Sequence, residues 1–276
     1  MYRFVLLLSF LFSCTSVSQG PKGTLIIIGG GSRPETIINR IIDESGLRNG
    51  GYGVVLPMSS ATPDSSVFYA TEPFVKAGVS TLKGLMFKKG ESPTPERLDS
   101  IRNASLVYIA GGDQSRFMDV VRGTPIEAAI RDAFQAGSVI AGTSAGAAVM
   151  CEKMITGNQL RDTTYTSTFK TIESGNLEIT PGLALVKGVL IDQHFLIRSR
   201  HNRLLTGVID FPDHLGIGID ESTAVVVKGK QVEVIGNSQV ILIENPKQAR
   251  QEREGKLGAK GLVTSIYLPG ESFQLR

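Results

Sequence analysis

Residues 139–148, Val-Ile-Ala-Gly-Thr-Ser-Ala-Gly-Ala-Ala, constrain this chain more than any other stretch. Gly142-Thr143-Ser144-Ala145-Gly146 has the form Gly-x-Ser-x-Gly, directly after an apolar run and directly before an alanine-rich one. In that setting the pattern reads as strand, sharp turn, serine, helix, with the hydroxyl pushed up out of a sheet. Small residues at Gly142, Ala145 and Gly146 let strand and helix approach closely enough to make the turn. The following N–H groups favour negative charge developing beside the hydroxyl.

The surrounding pattern predicts an α/β fold. Thr24-Leu25-Ile26-Ile27-Ile28 is apolar without alternation, which implies a strand covered on both faces and hence a parallel sheet. Similar runs lie at 53–57, 106–110, 139–143, 188–191 and 215–219, and residues 80–86 can form another short strand. Helical patterns fall near 37–42, at 64–77, after Thr94-Pro95-Glu96, at 125–136 and at 198–208. From Ala224 the pattern changes to short β runs with turns at Gly229-Lys230 and Gly236-Asn237, which predicts antiparallel hairpins at one sheet edge. Residues 263–268 read as the last strand, 248–260 as a solvated loop, and 153–178 as a polar loop or insertion. The whole is a three-layer, doubly wound, mostly parallel sheet. Its strands end in small and polar clusters, where open α/β sheets bind ligands. The Gly29-Gly30-Gly31 run lacks Gly-x-Gly-x-x-Gly spacing and does not read as a dinucleotide site.

The N-terminus reads as an export signal, residues 1–20, ahead of one domain at 21–276. Arg3 precedes an apolar run that is too short to span a bilayer and ends at Leu11-Phe12-Ser13-Cys14. That ending resembles a bacterial lipobox, so Cys14 is expected to be lipidated and to anchor the exported protein to a membrane. Cys151 is then the remaining cysteine and reads as a packed small hydrophobe. A net charge of +3 on 276 residues, without basic runs interleaved with aromatics, argues against a nucleic-acid partner.

A serine needs a base. Among His194, His201 and His214, His194 follows Asp192-Gln193 at a strand's carboxyl end, on the edge that carries Ser144. His201 sits in a basic helix and His214 at the opposite edge. Asp220 and Glu221 end another strand on the right edge. Neighbours on a strand point oppositely, so only one of them can orient His194. The oxyanion would be held by the amide of Ala145 and one from the Gly111-Gly112-Asp113 turn. The histidines have no metal-ligand spacing, and no metal or cofactor is expected.

Ala110-Gly111-Gly112-Asp113-Gln114, the Ser144 turn, Asp192-Gln193-His194-Phe195 with Arg198, Arg200 and Arg203, and Gly218-Ile219-Asp220-Glu221 together resemble the cyanophycinase family of clan S51. The resemblance runs from about Gly23 to the C-terminus. It implies a class I glutamine amidotransferase-like (flavodoxin-like) fold and a Ser-His-Glu triad of Ser144, His194 and Glu221. It also implies oxyanion donors at Gly112 and Ala145, and a substrate pocket of Gln114, Asp192, Gln193, Arg198, Arg200 and Arg203. The implied reaction is hydrolysis of the aspartyl backbone of cyanophycin to β-aspartyl-arginine, through an acyl-enzyme. Arginines suit the carboxylates of such a substrate, and Asp192 could answer its guanidinium. The alternatives are a peptidase E-like aspartyl dipeptidase and a non-catalytic binding protein. Expected partners are a peptide substrate, a membrane reached through the lipid anchor, and a second copy of the chain in a homodimer.

Overall fold

The computed structural model describes residues 21–161, 164 and 166–276. The expected signal and Cys14 lie outside them. Five parallel strands form the centre: β1 (Thr24–Ile28), β2 (Gly53–Leu56), β3 (Leu82–Gly84), β4 (Leu106–Ile109) and β5 (Val139–Thr143), in the order β1-β5-β4-β2-β3. Alternate side chains of these strands enter two different cores. Ile26, Ile28, Val55 and Tyr108 pack with α1 (Glu35–Ser45) and α2 (Pro63–Lys76). Leu25, Ile27, Val54, Leu56, Val107 and Ile109 pack with α3 (Pro95–Arg102), α4 (Gln114–Val121), α5 (Pro125–Ala136) and α6 (Ala145–Ala148). Covering on both faces explains why β1, β2, β4 and β5 read as apolar runs, whereas β3 lies at the edge with Lys83 and Gly84 exposed.

The second half begins with a hairpin of β6 (Lys153–Gln159) and β7 (Leu177–Pro181). There follow β8 (Val189–Gln193), α7 (His201–Asp210), β9 (Leu215–Ile219), β10 (Thr223–Lys228), β11 (Gln231–Gly236) and β12 (Val240–Glu244). A small hairpin of β13 (Gln251–Arg253) and β14 (Lys256–Gly258) precedes β15 (Val263–Tyr267) and β16 (Ser272–Gln274). β10 joins β1 antiparallel, and β11 and β16 continue the main sheet, each antiparallel to the strand before it, which is the expected hairpin edge.

β8 and β9, however, run parallel in a second sheet with β12 and β15. That sheet packs Val189, Ile191, Ile217 and Leu242 into the same core as α3–α6 and carries α7 on its other face, where Leu204 and Val208 of the helix pack with Leu190, Ile241 and Ile243. The chain crosses from the second sheet to the main one between β9 and β10, at Asp220-Glu221-Ser222. The amide of Gly29 donates to Thr223 O at 2.9 Å and that of His194 donates to Gly29 O at 2.7 Å, which joins the two sheets at the end of β1.

Several expected boundaries move. The polar stretch at 153–178 contains β6 rather than being loop throughout, and the charged stretch at 248–260 folds as β13–β14. The last strand is β16, beyond residues 263–268. α7 begins three residues late. Residues 194–200 form a turn instead, with positive φ at His194 and Ser199 and the Arg200 amide donating to Phe195 O at 3.0 Å. α4 was not foreseen, although its signal is present: Asp113 Oδ1 caps it by accepting from the amides of Ser115 and Arg116 at 2.8 and 3.2 Å. α6 is a single turn, so Cys151 lies beyond it, in a bridge to Val186. The thiol is fully buried, and burial pushes its pKa up to about 12, so it packs rather than reacts.

Candidate active site

Ser144 stands between β5 and α6 with φ 53° and ψ −110°, a strained conformation for a residue with a side chain. The motif glycines make the turn physically possible. A Cβ on Gly142 would lie 2.4 Å from Gly146 O, and one on Gly146 would lie 2.2 Å from Ile109 O. The Ser144 amide is tied to Ile28 O at 3.0 Å, which fixes the turn to β1.

His194 follows β8 directly. Its Nε2 lies 2.8 Å from Ser144 Oγ, and its Nδ1 lies 2.5 Å from Glu221 Oε1. An ionised carboxylate only accepts, so Nδ1 carries the proton, and Nε2 is left to accept from the serine hydroxyl. Burial dominates in lowering the His194 pKa below the ordinary histidine value. The bond to Glu221 opposes it, and the charges of Arg198 and Arg200 add to it. The imidazole is therefore neutral at neutral pH and able to take a proton.

Asp220 does something else. Its Oδ1 accepts the amides of Leu196 and Ile197, each at 3.0 Å, and its Oδ2 accepts from Ser238 Oγ at 2.8 Å. It holds the turn that carries His194. The other histidines lie apart: His201 opens α7 with its ring against Phe195, and His214 Nδ1 lies 2.8 Å from Asp213.

Sequence reasoning missed the part played by Gly30 and Gly31. A Cβ on Gly30 would stand 2.2 Å from His194 Cε1, and one on Gly31 would stand 2.8 Å from Glu221 Oε2. The run after β1 is the bed on which the imidazole and its acid lie. The available signal was three successive glycines at the carboxyl end of the central strand, without the spacing a nucleotide needs.

A cavity of about 300 Å³ opens beside Ser144. Gly112, Gln114, Gln193, Arg198, Arg200 and Arg203 all line it, as does the β6 segment Thr156-Gly157-Asn158. Gln114 Nε2 donates to Ile155 O at 3.0 Å and also to Thr156 O, so this side chain pins β6 over the cavity. Among the described residues, the amides of Gly112 and Ala145 donate to no protein acceptor.

The arginines differ. Arg203 Nε donates to Asp192 Oδ2 at 2.8 Å and its Nη2 donates to Asp192 Oδ1, both side chains being almost wholly buried. Arg200 Nη1 donates to Gln193 O at 2.6 Å and also to Gln193 Oε1. The guanidinium of Arg198, which also lines the cavity, makes no hydrogen bond or ion pair to a described residue.

Asp192 corrects the expectation from sequence. It does not line the cavity, and its carboxylate is spent on Arg203, with Arg200 at 3.7 Å, so it cannot receive a substrate guanidinium. Removing one partner from so buried a pair typically costs about 3–5 kcal/mol, because the other charge is stranded. Asp192 therefore builds the wall of the cavity. Gln193 and Arg200 are likewise engaged with each other while still facing the space.

The site so built contains a base-activated serine, two amides free to hold an oxyanion and an arginine-walled cavity beside them. A model of peptidase family S51 matches residues 25–235. The chain is 31% identical over 252 residues to a cyanophycinase of Nostoc sp. (strain PCC 7120), covering 89% of this chain and 81% of that one. It is 31% identical over 209 residues to a cyanophycinase of Geminocystis herdmanii, covering 75% and 74%. Among solved structures, a peptidase from an acI-B1 Actinobacterium superposes with TM-score 0.68 at 22% identity, covering 92% of this chain and 98% of that one. A putative peptidase E protein from Listeria monocytogenes gives 0.57 at 15%, covering 78% and 99%. At those identities the two structures speak for the fold.

Proposed function

This chain belongs to peptidase family S51 and is a serine-type peptidase, and from that premise we propose that it hydrolyses the aspartyl backbone of cyanophycin to β-aspartyl-arginine dipeptides. One observation carries the reading: a serine bonded to a neutral imidazole faces a cavity whose unspent charge is a guanidinium, that of Arg198. A planar, bidentate donor suits the carboxylates that an aspartyl chain presents.

In the proposed mechanism, Ser144 Oγ attacks the carbonyl carbon while His194 Nε2 takes the hydroxyl proton. Glu221 stabilises the imidazolium that results. The amides of Gly112 and Ala145 receive the negative oxygen, donors of a kind each worth roughly a hundred- to a thousandfold in rate. His194 then returns the proton to the leaving amine. Water, activated by the same imidazole, releases the acyl group from Ser144. Residues 21–276 form the catalytic domain in this proposal, and lipidation at Cys14 holds it outside the cytoplasm.

A second reading has its own observation. With Asp192 bound to Arg203, the acidic residue lining the cavity is Asp113, and its Oδ1 already caps α4. A cavity poor in free carboxylate favours dipeptides of the form Asp-Xaa over a substrate bearing arginine. Mass spectrometry of products from cyanophycin and from Asp-Xaa dipeptides separates the two. Release of β-aspartyl-arginine by the wild type but not by Ser144→Ala supports the first reading. Cleavage of Asp-Xaa alone assigns the second. Cleavage of neither overturns both.

A further inference from the structure

A second cavity, of about 310 Å³, lies beside the same nucleophile turn. Thr143, the residue before Ser144, lines it, as does Gly111, whose Cβ would be 3.5 Å from that of Ser144. It belongs to the other side of the main sheet. Tyr108 and Ala70, which also line it, pack into the core under α1 and α2, whereas the arginine-walled cavity lies over α4. The two spaces therefore flank Ser144 from opposite sides.

The lining of this second cavity is chemically simple. Ser60, Thr62, Ser65 and Ser66 bring hydroxyls to it beside those of Thr143, Tyr69 and Tyr108, and its charge comes from Arg33. Among the described residues, no aspartate or glutamate lines it. Arg33 Nη1 donates to Tyr108 Oη at 2.9 Å and Nη2 donates to Tyr69 O at 2.5 Å, so the guanidinium is held in place by neutral acceptors. It makes no ion pair with a described residue, and its buried Nε has no partner among them. A fixed cation with neutral supports keeps its charge for a ligand. Arg40, by comparison, is neutralised by Glu44 and Glu233.

Position decides which part of a substrate arrives there. The leaving amine takes its proton from His194, so the chain beyond the scissile bond must pass the side of Ser144 where the imidazole and its acid lie. Gly31, the residue against Glu221, lines the second cavity. Gly112, the expected oxyanion donor, lines the first.

We propose that the second cavity is a carboxylate subsite for the leaving side, in which Arg33 with Ser60, Ser65 and Ser66 receives the acidic group of the residue after the scissile bond. The inference rests on the aspartyl-peptidase reading above and extends it. The enzyme reads negative charge on both sides of the bond it cuts, the first with Arg198 and the second with Arg33. An acidic polymer or an acidic dipeptide would then be gripped at two points about the serine, which sets the register of cleavage.

The test uses two aspartyl peptides identical up to the scissile bond, the next residue bearing either a free carboxylate or its primary amide. The readout is the ratio of kcat/KM for acid over amide, which is insensitive to the amount of folded enzyme. The wild type should prefer the acid peptide. Arg33→Gln should lower the ratio by about tenfold or more, the worth of a hydrogen bond to a charged group. Arg33→Lys, which keeps the charge, should retain part of the preference. A wild-type ratio of one, or a ratio unchanged in Arg33→Gln, overturns the subsite. If the wild type cleaves neither peptide, the proposed function has failed, and the subsite is then read by calorimetric binding of the same peptides to Ser144→Ala. Tighter binding of the acid peptide that disappears in Ser144→Ala/Arg33→Gln sustains it, and equal binding of the two overturns it.

Discussion

Gly30→Ala should disable the site while leaving the fold standing. Gly30 has φ +114°, and the added Cβ would lie 2.2 Å from His194 Cε1, 2.6 Å from Nε2 and 2.7 Å from Nδ1. Carbon atoms in contact sit about 3.5–4.0 Å apart, so the ring must retreat by more than about 1 Å. It cannot do so and keep both of its bonds. A shift of that size takes the 2.8 Å approach to Ser144 Oγ beyond hydrogen-bond range. The backbone cannot yield easily either, because Gly29 O accepts the His194 amide at 2.7 Å and Gly30 O accepts that of Ser222 at 2.9 Å. Misplacement by about 1 Å costs on the order of a hundredfold, and loss of the base about a hundred- to ten-thousandfold. The variant should therefore lose a hundredfold or more in kcat. It should also lose about 1–3 kcal/mol of stability, because alanine is strained at this φ. Gly137→Ala is the control. Gly137 has φ +121°, and a Cβ there would meet nothing closer than Lys22 Cβ at 3.8 Å. It should share the backbone penalty and keep its turnover. The assay is steady-state kinetics on each folded variant, with Tm alongside. A folded Gly30→Ala enzyme within about threefold of wild-type kcat would refute the argument that this glycine seats the imidazole.

The acid limb of kcat/KM should fall below pH 6.5, the ordinary histidine value, because burial and the neighbouring arginine charges lower the His194 pKa and the enzyme works with the neutral ring. Removing the charge in Arg198→Gln should move that limb upward, and a limb that stays put or moves down contradicts the assignment. Glu221→Gln should lower kcat by up to about ten-thousandfold, since the imidazolium loses its partner. Asp220→Asn should instead act mainly on Tm, because Asp220 holds the amides of Leu196 and Ile197, and the reverse pattern in a side-by-side comparison would exchange their roles. Cys14→Ser should shift the protein from the membrane fraction to the soluble one, and equal partition of the two forms would rule out a lipid anchor at that residue.

What could be read from the sequence follows from how local each signal is. Buried parallel strands announce themselves as apolar runs, so β1, β2, β4, β5, β8 and β9 stand where the runs stand, and α5 covers the predicted residues 125–136. The nucleophile turn is legible because its steric demand is met within five residues, from Gly142 to Gly146. Long-range pairing leaves no such trace. Asp192 and Arg203 are each the type that would bind substrate, and nothing in their spacing says they are spent on one another. Only the packing of α7 against β8 does so. The division into two sheets is hidden for the same reason, since β8 and β9 carry the same apolar pattern whether they extend the main sheet or face it. Gly30 and Gly31 show the limit most clearly. Their lack of side chains is visible, but its reason is a pair of side chains from the far half of the chain, delivered by the crossing between β9 and β10 and by the end of β8. The proposed triad is therefore not built by its three residues alone. Ser144 is placed by a local turn, whereas His194 and Glu221 are placed by where two sheets meet. A change at that junction, as in Asp220→Asn, falls first on the stability of the turn that carries His194, without altering any group that touches the reacting atoms.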